Sequence, residues 1–197
     1  MRGQAVNVCV DAHEAMLALE GHVPTAVRLL RWEGRLIGPL RVAGRRVSCV
    51  VSLIDPVHQY RQDAGLPPMV DHTEVAIRSE IGQLGELPPA AVHLVGVIGA
   101  VRHLGTARHS VFPLSTMCPA VIVMSRCARN SMCVPSNTEG LLARLGVVAV
   151  DDHGSVDVLR EPLTPHRYPP EYEVWRRWVL EVMYERALFE LGKAGDL

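Results

Sequence analysis

The run Ala91-Val-His-Leu-Val-Gly-Val-Ile-Gly-Ala-Val101 constrains the fold more than any other segment, because one histidine and two glycines are all that break its apolar character. A strand buried on both faces reads this way, and such strands belong to sheets with helices on both sides. The run is too short for a bilayer, whose hydrocarbon core takes about 20 apolar residues in a helix. Segments on either side of it alternate between strand-like and helix-like patterns, which points to an α/β class with a mixed sheet.

Upstream, Asp11-Ala-His-Glu14 has the form of a capping box, and the apolar residues after it predict a helix that Gly21 and Pro24 bend before it resumes over Thr25 to Trp32. Leu36 to Val42 and Val47 to Ile54 read as a hairpin, with Pro39 placing the first strand at an edge. Asp55 to Val70 reads as a loop, and Asp71 then caps a helix carrying Val75, Ile77 and Ile81.

Downstream, Arg102 to Met117 reads as a loop, and Ala120 to Ser125 reads as a strand or a buried helical turn. Ser136 to Leu145 predicts a helix, and Val147–Val150 with Ser155–Leu159 a second hairpin. The expected organisation is one α/β domain over 1–161, a three-layer mixed sheet flanked by helices. A proline-rich linker over 162–170 and an appended C-terminal helix over 171–197 follow. The stripe Tyr172, Trp175, Val179, Val182, Met183 and Leu188 suits either docking on the domain or a homodimer contact.

Composition narrows the function classes. The 197 residues are 48% hydrophobic and 21% charged, so a sizeable core is expected and wholesale disorder is not. A net charge of −1 removes the bulk attraction that a nucleic-acid binder uses. The absence of a secretory or membrane-spanning pattern, with five scattered cysteines, gives the expectation of a soluble, cytoplasmic protein with free thiols or metal ligands.

Chemistry concentrates at His72-Thr-Glu74, at the start of a helix that follows two strands. With a further strand leading into Arg126-Cys127, this pattern resembles the cytidine deaminase superfamily, and the order of helices and strands agrees with that resemblance. The resemblance implies a deaminase-like fold and a zinc-dependent hydrolase that removes ammonia from a nucleobase, nucleoside or related small-molecule ring. His72, Cys127 and Cys133 would hold the metal, and Glu74 would move the proton of a zinc-activated water.

The usual Cys-x-x-Cys half of that motif is missing, and Cys118 is an alternative ligand to Cys127 or Cys133. In a second registration Ser136 stands where the second cysteine belongs, which describes a degenerate, non-catalytic relative acting through protein–protein contacts. Bland readings stand beside these. His72 and Glu74 suit a helix's first turn for dipole reasons alone, and Cys9 and Cys49 read as small buried hydrophobes. His93, His103 and His109 could join Cys118 in another metal site, and the Arg102–His109 segment could contact an anionic substrate group.

Overall fold

A computed structural model describes residues 14–42, 44–80, 87–126, 143–165 and 172–195. Its centre is a six-stranded mixed sheet in which spatial order follows chain order: β1 (Arg35–Val42), β2 (Arg45–Leu53), β3 (Val92–Ala100), β4 (Ala120–Ser125), β5 (Gly146–Val150) and β6 (Val156–Arg160). The pairs β1–β2, β2–β3 and β5–β6 are antiparallel, whereas β3, β4 and β5 run parallel.

The apolar run that opened the sequence reading is β3, near the middle of the sheet and buried over most of its length. Its neighbour β4 settles the strand-or-helix ambiguity at Ala120–Ser125 as a strand. Ala120, Ile122 and Met124 enter one core, and Val121 and Val123 enter the other, the alternation a strand with two covered faces must show. Pro39 does sit in an edge strand, β1, at a register shift between Ile37 and Leu40.

Helices cover both faces. On one, residues 14–21 are helical and a turn at His22 leads into α1 (Val23–Leu29), giving the expected bend ahead of Pro24. Leu19, Val23, Ala26 and Val27 close the core over Val50, Ile98, Val121, Val123, Val148 and Val150. The cap expected at Asp11 lies outside the described residues. Trp32 also joins this layer, and its ring lies across Gly96 of β3 so closely that a β-carbon there would collide with it.

Two expected loops prove to be helical. Within 55–70, α2 (Asp55–Asp63) forms first, with a proline in its first turn, where the missing N–H costs nothing. Its inward face presents Val57 and Arg61 four residues apart, and an arginine at the most buried position breaks the apolar stripe by which a helix is recognised. Within 102–117, α4 (Leu104–Ser110) is followed by a 3-10 turn over Phe112–Thr116. Ala107 of α4 and Val111 just after it are buried. Between these two, α3 (His72–Glu80) begins where expected, Asp71 Oδ1 accepting from the N–H groups of Thr73 and Glu74 at 2.7 and 3.3 Å. The helix expected over 136–145 falls mainly outside the described residues, as do 166–171 of the proline-rich segment.

The C-terminal helix α5 (Glu173–Gly195) docks on the sheet. Val179, Leu180, Met183, Tyr184 and Ala187 belong to the same buried cluster as Ile37, Val97 and Ile122, with Trp175, Val182 and Leu188 packed at its margin. Tyr172, expected in the buried stripe, is exposed. No helix among the described residues is long and apolar enough to cross a membrane.

Candidate functional site

His72 and Glu74 stand exposed in the first turn of α3, on the side of the sheet that α5 covers. The His72 ring meets the Trp178 ring edge-on at 5.4 Å between centroids, and the Trp178 indole N–H donates to the carbonyl of Val70 at 2.8 Å. Glu74 accepts from the guanidinium of Arg78 one turn along, at 2.8 Å. Cys127 and Cys133 lie outside the described residues. Arg126, which precedes Cys127 in the chain, is paired with Asp157 of β6.

Cys118, the alternative ligand, is buried in the core that α5 closes, its Sγ 3.7 Å from the carbonyl oxygen of Leu114. Cys49 of β2 is buried in the same core, as its apolar setting led us to expect. Burial pushes the Cys49 thiol up to about 12, and it pushes Cys118 up as well, with Cys49 adding to the effect. Neutral thiols in such surroundings are core residues. Cys9 lies outside the described residues. No cluster of three or more His, Cys, Asp or Glu side chains able to hold a metal occurs among the described residues, so His93, His103, His109 and Cys118 are not assembled into one.

A different site forms at the opposite ends of β3, β4 and β5 from those where α2 and the segment before β3 pack. A crevice of about 550 Å³ opens between the carboxyl ends of these strands and the helical segment before α1. Open α/β sheets place their ligands outside the carboxyl ends of parallel strands, because the loops that diverge there leave room beside a rigid frame. Here Ala15, Ala18, Leu19 and His22 form one wall, and Arg102, His103, Ser125, Asp151 and Asp152 supply polar groups.

The register explains how these groups converge. Ala100, the last residue of β3, pairs with Val123, and Arg102 follows two residues beyond; Ser125 ends β4 and pairs with Val150, the last residue of β5, which Asp151 follows. Neighbouring strands lie about 4.8 Å apart, so the ends of β3 and β5 stand about 10 Å apart with Ser125 at the end of β4 between them. Asp151 is fixed by its own turn, Oδ1 accepting from the backbone N–H groups of Ser155 at 2.8 Å and His153 at 2.9 Å. The Ser155 bond is the main cause that holds this carboxyl below the usual aspartate range, with the His153 bond and the charges of His153 and Arg126 helping against desolvation. Asp151 is therefore a fixed negative charge.

Of these groups, Arg102 and His103 belong to the Arg102–His109 segment that the sequence offers for an anionic substrate group, and both line the crevice. His22, Ser125 and Asp151 were not singled out as site residues. Asp151 and Asp152 read simply as turn residues, since the strand order that brings three carboxyl ends together is not written in any local pattern. A second cavity of about 550 Å³, lined by Arg45, Phe112, Pro113, Thr116, Tyr172 and Trp175, is mainly aromatic and apolar and offers fewer converging polar groups.

No family model, curated protein or solved structure gives a significant match to this chain.

Proposed function

We propose that the protein binds a small polar molecule in the crevice at the carboxyl ends of β3, β4 and β5. The observation that carries this reading is the convergence of Arg102, Ser125 and Asp151, at or just beyond the carboxyl ends of three parallel strands, on a cavity of about 550 Å³. That volume falls within the roughly 300–1,000 Å³ of small-molecule sites, and a few converging polar groups against apolar walls are what such sites use to orient a ligand. A fragment screen by ligand-observed NMR on the full chain tests it, using neutral aromatic, anionic and cationic compounds. Binding is expected and should be lost in Ala18→Trp, which fills the crevice from the helical wall. Fragments that bind the Trp variant equally well would place the site elsewhere.

A second reading keeps the zinc-dependent deaminase. It is favoured by the Asp71 cap, which sets His72 and Glu74 in an exposed first turn, with α2 between it and the antiparallel pair β1–β2, and by Cys127 following β4 in the chain. In this reading His72, Cys127 and Cys133 hold zinc, and Glu74 serves the metal-bound water. Elemental analysis of the purified chain decides between the two: about one zinc per chain, lost in His72→Ala, supports the deaminase reading, and metal-free protein removes it.

A further inference from the structure

Charges of opposite sign line the crevice after strands that stand two apart in the sheet. Arg102 follows β3, Asp151 follows β5, and the Ser125 hydroxyl closes β4 between them. A singly charged ligand would meet attraction from one and repulsion from the other. A ligand with separated charges of both signs satisfies both. The geometry points to a small zwitterion as the occupant, its carboxylate or phosphate group at Arg102 and its ammonium group at Asp151.

This inference rests on the crevice being a ligand site and adds the chemical class. Arg102 presents the planar fork that suits either oxyanion, whereas an ammonium is a compact donor that one carboxylate oxygen can accept. Both backbone bonds to Asp151 land on Oδ1, so Oδ2 takes part in neither. The crevice, about 550 Å³, has room for a short ligand of a few bonds between the two side chains. Arg126 pairs with Asp157 and its charge also favours the ionised form of Asp151.

NMR titration of the full chain with matched probes tests this. The zwitterions are 3-aminopropyl phosphate and 4-aminobutanoate; their singly charged counterparts are propyl phosphate, butanoate and propylamine. At least one zwitterion is expected to bind about tenfold more tightly than either counterpart, the scale of one extra charge-assisted hydrogen bond. Which of the two wins tells phosphate from carboxylate. In Arg102→Ala the preferred zwitterion should weaken to the level of the amine. In Asp151→Asn, whose side-chain oxygen can still accept from Ser155 and His153, it should weaken to the level of the anion. Equal affinities for zwitterion and single charge, or a preference that survives both substitutions, overturn the inference. If fragments displaced by Ala18→Trp bind while the zwitterions show no advantage, the crevice stands and the ligand class is wrong. If no compound of either set binds, both fail.

Discussion

Arg61 and Glu181, 120 residues apart in the chain, face each other as a buried bidentate pair, Nη1 to Oε1 at 2.8 Å and Nη2 to Oε2 at 2.9 Å. Every remaining direction around them is occupied. Arg61 donates to the carbonyls of Leu66, Pro67 and Pro89, and its guanidinium lies 4.6 Å from the Tyr184 ring centre. Glu181 accepts from the Met69 N–H at 2.9 Å and from Arg177 at 2.7 Å, and the Tyr184 hydroxyl shares a 2.9 Å hydrogen bond with His58 Nδ1. The pair thus ties α2, the segment leading into α3 and the approach to β3 onto α5.

Removing Glu181 leaves the buried Arg61 without its carboxylate, and removing Arg61 leaves the buried Glu181 with Arg177 and the Met69 N–H. Arg61→Ala and Glu181→Ala are each expected to cost about 3–5 kcal/mol, whereas Arg61→Met with Glu181→Leu should cost much less than their sum. Urea unfolding of the three variants checks this, and additive losses would show that the pair is not coupled.

Stability should depend on acid through the same carboxylate. Burial alone would raise the Glu181 pKa, but hydrogen bonds from Arg61, Met69 and Arg177 outweigh it and hold the group below the ordinary glutamate range. A depressed folded-state pKa contributes stability that is complete above the unfolded value, about 4.3, and disappears as pH falls through the folded one. Wild type should therefore lose stability more steeply than Glu181→Gln below about pH 4.3. Unfolding midpoints measured from pH 6 to pH 2 on both proteins supply the test, and parallel curves would assign the acid sensitivity to other groups.

The C-terminal helix is part of the core. Met183 is fully buried in it, and Met183→Ala should cost about 2–5 kcal/mol. Deleting 173–195 should expose the face of the sheet it covers and give a chain that lacks cooperative unfolding by circular dichroism. A cooperatively folded truncation would make α5 a detachable element.

Gly96 is required by contact with Trp32, whose ring occupies the space a β-carbon would take. Gly96→Ala should destabilise by about 1–3 kcal/mol through overpacking, and Trp32→Leu should recover part of that loss. Thermal unfolding of the single and double variants reads the coupling; a harmless Gly96→Ala would mean that the ring moves aside freely.

Cys49 and Cys118 should resist thiol reagents in the folded state, because both are buried and both thiols are held protonated. Site-resolved mass spectrometry after brief alkylation, with and without denaturant, should find them modified only in the unfolded chain.

The sequence by itself determined the kinds and order of most elements. Strands buried on both faces need continuous apolar runs, so β3 and β4 could be read from Ala91–Val101 and Ala120–Ser125, and the Asp71 cap marked α3 through short-range hydrogen bonding. These signals are local. The helix α2 escaped because its deepest inward residue is Arg61, an apparent surface residue until Glu181 arrives from the far end of the chain. The His72-x-Glu74 triplet was equally plain in the sequence, yet what stands beside it, Trp178, was decided by where α5 docks. Only the tertiary structure brought Arg102, Ser125 and Asp151 to one crevice, because strand order and register depend on pairings between distant segments that no local pattern encodes.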